Sequence, residues 1–328
     1  MESFKGPPLA VNAPTDSGEI RAVIDVGTNS VKLLIASVTS GRVVPLLETA
    51  QQTRLGRNFY SDYLLKAEGI KATAETVGHF ASLARERGAI SLKVIATSAA
   101  REAKNVQDLI AAIEYANGGE MIIISAETEA RWAYRGVVTH LPGVGDSFLI
   151  VDIGGGSTEF IIGRGVEPLR SASFELGSVR MLENALLDDP PGPEALMRAR
   201  TELRQFFAVN VLPVMLPASK SGESRLSGLI VTGGTGAILA RIQAEMEDYN
   251  RDRIEAARFD RQSFGERVEQ LWSMKLAQRQ ALIGLPSERA DVILFGAAIC
   301  EAVLNAFELP EMRVSTRGMR FGAVLDGD

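Results

Sequence analysis

The sequence predicts an α/β protein of two domains, and three observations predict it. Apolar runs of strand length alternate with longer stretches of helical period, the pattern of strands and helices taken in turn. One motif occurs twice, as Val23-Ile24-Asp25-Val26-Gly27-Thr28-Asn29-Ser30 and as Val151-Asp152-Ile153-Gly154-Gly155-Gly156-Ser157-Thr158. The length of 328 residues then accommodates two domains of ordinary size.

Strands are expected at Ile20 to Val26, Val31 to Ser37, Val43 to Glu48, Leu92 to Thr97 and Met121 to Ser125. The second half supplies Phe148 to Ile153, Glu159 to Ile162, Leu229 to Thr232 and Met312 to Ser315. Between them, Thr73 to Arg87 lays Ala74, Val77, Ala81 and Ala84 on one helical stripe and stops at Gly88. Asn105 can cap a helix over Val106 to Ala116, closed by Asn117-Gly118-Gly119, and another starts near Glu127 and runs to Thr139. Later helices are Glu194 to Val211, Gly236 to Glu247, Arg261 to Met274 and Ala290 to Phe307, separated by breaker-rich loops at Asp188 to Pro193 and Pro213 to Ser227. Residues 1–19, with Pro7, Pro8 and Pro14, are expected to form a flexible arm. Leu141-Pro142-Gly143-Val144-Gly145 marks the boundary between domain I, residues 20–140 with the returning segment 308–328, and domain II, residues 141–307.

Composition removes several classes of function. With 46% hydrophobic and 23% charged residues the chain is that of a globular protein, and no apolar run approaches the roughly 18 residues of a membrane span. No signal-peptide core is visible, so a cytoplasmic location is expected. A net charge of −6 argues against binding a nucleic-acid polymer. The single cysteine, Cys300, lies in an apolar helical stretch and is expected to be buried and inert. His79 and His140 have no partners for a His-rich metal centre and are taken as structural or surface residues.

The duplicated turns carry the chemistry. Backbone N–H groups of a glycine turn can converge on an anion, hydroxyls add donors, and an Asp at the strand end can hold a metal or its water. A lone turn of this kind is also a common hairpin, and it is the repetition that favours two phosphate grips facing one cleft. Superposing Asp25 on Asp152 pairs Gly27 with Gly154 and Ser30 with Ser157, but Lys32 with Glu159. Metal binding is therefore expected mainly at the second turn. Thr97, Ser98 and Arg101 follow a strand and precede a helix, placing hydroxyls and a guanidinium where an anion can meet them. Thr232-Gly233-Gly234-Thr235-Gly236 forms a similar strand-to-helix turn, for which a phosphate or nucleotide cradle and simple close packing are equal readings.

Taken in order, Asp25 to Ser30, Ala96 to Asn105, Ile124-Ser125-x-x-x-Glu129-Ala130-Arg131 and Asp152 to Glu159 resemble the Ppx/GppA phosphatases, the exopolyphosphatases and guanosine pentaphosphate phosphohydrolases. Arg54-Leu55-Gly56, Leu176 to Arg180, Arg289 to Ile293 and Ser315 to Arg320 fit as well, so the resemblance spans Ile20 to Asp326. It implies two ribonuclease-H-like domains of the actin-like ATPase superfamily around a central cleft, in the family's short two-domain form. It also implies hydrolysis of terminal phosphate from inorganic polyphosphate with Mg²⁺ or another divalent cation, or of the 5′ phosphate of pppGpp, by a homodimer.

By the same resemblance Glu129 and Glu159 are catalytic, Glu129 as general base, and Asp152, Glu159 and Asp25 hold the metal. Gly27, Thr28, Asn29, Ser30, Ser98, Arg101, Gly154, Gly155, Gly156, Ser157 and Thr158 bind phosphate. The chain departs from the family at Ala126, usually Gly, and at Thr128, usually Glu; Glu127 lies two residues from Glu129 and so on the opposite face of a helix. Lys32, Arg54, Arg57, Arg101, Arg131, Arg180, Arg317 and Arg320 are candidate cations for a long polyanion. No aromatic cluster is visible beside the motifs to stack a guanine, which favours polyphosphate. From other classes, an actin-like ATP-binding kinase would share the two turns, and a non-catalytic polyphosphate or alarmone sensor would share the whole binding set.

Overall fold

The structure, a computed structural model, describes residues 18–140, 147–216 and 226–326, with the Glu167 side chain excepted. Most of the expected flexible arm and the expected boundary segment lie outside the described residues. Two compact units emerge, 1–140 with 319–328 and 141–318.

The first unit is built on β1 (Glu19–Val26), β2 (Ser30–Thr39), β3 (Arg42–Gln52), β4 (Ser91–Ala96) and β5 (Met121–Ile123), in the spatial order β3-β2-β1-β4-β5. β1, β2 and β3 form an antiparallel meander; β4 and β5 add in parallel. The central β1 buries Ala22, Val23, Ile24 and Val26, near-continuous apolar burial of the kind a sheet covered on both faces requires. Helix Ala67–Glu86 starts ahead of the expected Thr73 and buries the expected stripe of Ala74, Val77, Ala81 and Ala84, together with Ile70 and Phe80. Helix Ala126–Val138 packs against the terminal helix Met319–Leu325. There Gly322 meets backbone, since a Cβ on it would collide with the Trp132 carbonyl.

The second unit repeats the scheme with β6 (Phe148–Ile153), β7 (Thr158–Arg164), β8 (Glu167–Phe174), β9 (Leu229–Thr232), β10 (Arg258–Asp260) and β11 (Glu311–Val314), ordered β10-β11-β9-β6-β7-β8. Again three antiparallel strands lead, and β9 and β11 add in parallel. The repetition extends to a fault in the ladder: the register shifts at Ile35/Ala36 in the first meander and at the corresponding Ile162/Gly163 in the second. Phe160 anchors this unit's core, with its ring centroid 5.5 Å from Phe174 and 5.7 Å from Phe207.

Three expectations are corrected. β11 does not return to the first unit; it pairs with β9 and β10 in the second sheet, and only the helix from Met319 onward belongs to the first unit. β8 was not expected, because Pro168 and an alternation of polar and small residues hide it as an edge strand. The helix from Gly192 does not stop at Val211; a wide turn over Phe207–Val211 leads into Leu212–Met215, accommodating Pro213, which has no N–H to give.

Candidate active site

In the first unit the strand register sets Asp25 opposite Lys32, and Lys32 Nζ lies 3.4 Å from Asp25 Oδ2. Asp25 itself is buried. The turn between them closes through Gly27 N–H to Ser30 O at 3.1 Å. Its carbonyls are held from behind: Gly56 N–H donates to Thr28 O at 2.7 Å, and Thr53 and Arg54 N–H donate to Asn29 O at 3.2 and 3.0 Å. Among the described residues the N–H groups of Thr28 and Asn29 find no backbone acceptor, and the buried Asn29 Nδ2 has no hydrogen-bond partner. Buried donors without partners are rare in folded proteins, and their concentration in one turn suits an acceptor-rich ligand such as phosphate.

The 53–66 segment behind this turn changes one sequence expectation. Phe59, Tyr60 and Tyr63 form an edge-on cluster, with Phe59 5.1 Å from Tyr60 and 5.5 Å from Tyr63. Phe59 and Tyr60 are buried, so their faces brace the segment that holds Thr28 and Asn29 rather than forming an open shelf.

Glu129 lies in the first turn of helix Ala126–Val138, where a carboxylate is favoured by the positive helix end. Ser125 starts this helix, its Oγ accepting the Thr128 N–H at 3.1 Å and lying 3.1 Å from Thr128 Oγ1. Thr128 thus occupies the position at which a Glu would complete a capping box. Glu127 is exposed and Glu129 buried, as residues two apart on a helix must be. Arg101, from the five-residue helix Ser98–Glu102 after β4, donates from Nη1 to Glu129 Oε2 at 2.6 Å and to Ile124 O at 3.1 Å. Ser98 Oγ donates to Glu102 Oε1 at 3.0 Å.

In the second unit the equivalent hairpin sets Asp152 opposite Glu159. Two carboxylates directly across an antiparallel pair repel one another, and Glu159 is only 1% exposed. Ser157 and Ser173 both donate to Glu159 Oε1, at 2.9 and 2.8 Å. The turn closes through Gly154 N–H to Ser157 O at 2.9 Å, the counterpart of the Gly27 bond. Its carbonyls are again tied back. Ser178 N–H donates to Gly154 O, Val179 and Arg180 N–H to Gly155 O, and Arg180 Nε to Gly156 O at 2.8 Å. Gly177 permits this approach, since a Cβ there would stand 2.3 Å from Gly155 O. Gly155 and Gly156 N–H find no backbone acceptor among the described residues. Thr158 Oγ1 donates to the Leu176 carbonyl.

The donor set fits a hard divalent cation of the Mg²⁺ kind at Asp152 and Glu159. All oxygens are carboxylate or hydroxyl, and Asp152 is flanked by Gly233 and Gly318, whose missing side chains leave it accessible. Among the described residues no three His, Cys, Asp or Glu side chains form a ready metal cluster. Asp25, expected as a third metal ligand, is therefore not part of such a group and pairs with Lys32 instead. Mg²⁺ is ordinarily held by one or two carboxylates together with waters and substrate phosphates.

Sequence reasoning missed Ser173, whose signal was the third strand of the repeated meander, and Arg180 as the brace of the second turn. Of the candidate cations, Lys32 faces Asp25, Arg101 faces Glu129, and Arg320 is placed by Leu33 O at 2.8 Å and Glu48 at 3.4 Å. No helix among the described residues is long and apolar enough to cross a membrane.

Comparisons with known proteins identify the family. A family model described as the Ppx/GppA phosphatase family matches residues 34–327. The chain is 31% identical over 293 residues to Exopolyphosphatase 2 of Mycobacterium tuberculosis, covering 85% of this chain and 88% of that protein. Among solved structures it is similar to the Aquifex aeolicus PPX-GPPA enzyme, with a TM-score of 0.76, 27% identity and coverage of 94% of this chain and 99% of that one. An exopolyphosphatase from Cytophaga hutchinsonii gives a TM-score of 0.80 at 28% identity, covering 93% and 96%. The repeated α/β fold, the two tied-back glycine turns and the match along nearly the whole chain have one conclusion: this protein belongs to the Ppx/GppA phosphatase family and is a hydrolase.

Proposed function

We propose that the protein is an exopolyphosphatase, releasing terminal orthophosphate from inorganic polyphosphate. The observation that carries this reading is Glu129, buried, in the first turn of its helix, and held by Arg101 at 2.6 Å. A passive binder has no need of a carboxylate so oriented. Thr28 and Asn29 in the first unit, and Gly155 and Gly156 in the second, offer N–H groups to phosphate oxygens, with Ser30 as a hydroxyl donor. The Ser98, Ser157 and Thr158 hydroxyls, expected to bind phosphate, donate instead to Glu102, Glu159 and the Leu176 carbonyl.

Arg101 has two anions to serve. When a phosphate oxygen takes part of its guanidinium, Glu129 is left to accept a proton from a water. The water oxygen bonds to the terminal phosphorus as the bond to the bridging oxygen breaks. The shortened chain leaves with that bridging oxygen. A divalent cation at Asp152 and Glu159 would supply charge neutralisation to the phosphate chain. Ser157 and Ser173 hold Glu159 in place for it.

One observation keeps the pppGpp reading in view. Arg180, which braces the second turn, also lines a cavity of about 550 Å³ with Leu176, Met181, Leu187, Phe206 and Phe295, large and apolar enough for a nucleoside. Phosphate release from polyphosphate and from pppGpp, measured side by side with Mg²⁺, decides between them. Fast turnover of the nucleotide with negligible turnover of polyphosphate would reverse the assignment. A cytoplasmic location and a homodimer complete the proposal, and light scattering on the purified chain tests the second.

A further inference from the structure

Thr232, the last residue of β9, stands opposite Asp152 in the parallel register of β6 and β9. It is also the N-cap of helix Gly233–Gln243, a position at which a threonine hydroxyl ordinarily accepts a helix N–H. Here the hydroxyl makes no cap bond. Thr232 is 0% exposed, and its Oγ1 has no hydrogen-bond partner among the described residues. A buried polar atom of that kind calls for a ligand or an ordered water to satisfy it.

Two glycines show where that ligand sits. A Cβ on Gly318 would stand 2.8 Å from Thr232 Oγ1 and 3.5 Å from Asp152 Oδ2. A Cβ on Gly233, whose φ is +84°, would stand 2.4 Å from Asp152 Oδ1. The carboxylate is therefore held between two residues without side chains. On the Gly318 side one point lies within reach of both the carboxylate and the hydroxyl. An anion at that point would meet the Asp152 charge directly, whereas a water bound to a cation is a donor to both oxygens.

We infer that Thr232 is a further residue of the divalent-cation site, its hydroxyl accepting a hydrogen bond from a water of a hydrated cation carried by Asp152. The inference rests on the placement of that cation at Asp152 in the proposed function. Magnesium-like ions give up their waters reluctantly and are recognised largely through them, so an outer partner of this kind governs affinity. Partners in that position typically contribute 10- to 100-fold in metal affinity. The GGT turn, for which a phosphate cradle and close packing were equal readings, thereby acquires a role of another kind.

The test is a Mn²⁺ titration of the full chain, followed by the electron paramagnetic resonance signal of free Mn²⁺, with and without orthophosphate. Thr232→Val should weaken Mn²⁺ binding by about 10- to 100-fold, while Thr232→Ser should bind close to the parent. In EDTA the melting temperature of Thr232→Val should not fall, because the methyl group replaces a hydroxyl that bonds nothing; a fall would mark a structural role and overturn the inference. Equal Mn²⁺ affinity in the parent and Thr232→Val overturns it as well. If Thr232→Val does not fold, Gly318→Ala, which fills the point between the two oxygens, decides by the same comparison. A parent protein that binds no Mn²⁺ in either condition overturns the cation placement at Asp152 itself, a result distinct from failure at Thr232 alone.

Discussion

Arg101 Nη1 donates to Glu129 Oε2 at 2.6 Å, joining the helix after β4 to the helix after β5. In the proposed function the pair joins the cation that meets phosphate to the carboxylate that takes the water's proton. Glu129→Gln keeps the shape and the hydrogen bond but removes the base. It should lower kcat by about 10² to 10⁴ with little change in melting temperature. Arg101→Ala should instead raise KM as well, and phosphate-release kinetics on both variants separate the roles.

Asp326 fastens the terminal helix to the helix that carries Glu129. Its Oδ2 accepts Trp132 Nε1 at 2.7 Å, and its Oδ1 accepts Arg135 Nη1 at 3.0 Å. Trp132 is buried, so Asp326→Ala strands an indole N–H, a loss of about 1 kcal/mol given the partial exposure of the carboxylate. Urea denaturation followed by tryptophan fluorescence measures it. Parent-like stability would show the contact to be idle.

Gly177→Ala should damage the second turn without unfolding the unit. The new Cβ would press on Gly155 backbone, which has no flexible end to move aside. Phosphate release is expected to fall more than tenfold, each tenfold being about 1.4 kcal/mol of barrier, while circular dichroism stays that of the parent.

Cys300 is wholly buried in helix Ile293–Ala306, and burial pushes its thiol well above the ordinary range. Below that raised value the group stays protonated, so at pH 8 the reactive thiolate is scarce. A disulfide reagent such as DTNB should leave the native protein untouched and titrate one thiol in guanidinium.

Arg200 gives a graded test of ion pairing. It donates to Glu301 from Nε at 2.9 Å and from Nη2 at 2.7 Å, and to the exposed Glu269 from Nη1 at 2.9 Å. Hydrogen bonding to Glu301, the larger effect, holds the Arg200 guanidinium above its ordinary value. Arg200→Ala leaves Glu301 buried and unpaired, about 2–3 kcal/mol at a site one-third exposed on the arginine side. Glu269→Ala should cost under about 1 kcal/mol. Chemical denaturation of the two variants gives the ratio.

The hairpin turns were legible because they are local. A strand, a glycine turn and a second strand lie within a dozen residues, and a period of two then sets Asp25 against Lys32 and Asp152 against Glu159. The β8 strand was not legible, since an edge strand bearing Pro168 carries little apolar signal, and with it went the Ser173 bond to Glu159. The aromatic cluster of Phe59, Tyr60 and Tyr63 was in plain sight as residues, but whether rings face outward or brace a loop depends on what is folded over them.

By itself the sequence determined the α/β class, the doubled turn and the inequality of its two copies, because each is written in contiguous residues whose spacing dictates local backbone geometry. Only the tertiary structure decided that β11 joins the second sheet, that Arg101 meets Glu129, and that Thr232, Gly233 and Gly318 surround Asp152. Those relations join residues tens to more than a hundred and fifty positions apart. The entropy of bringing such segments together is offset by burial summed over the whole fold, and no local pattern records that sum.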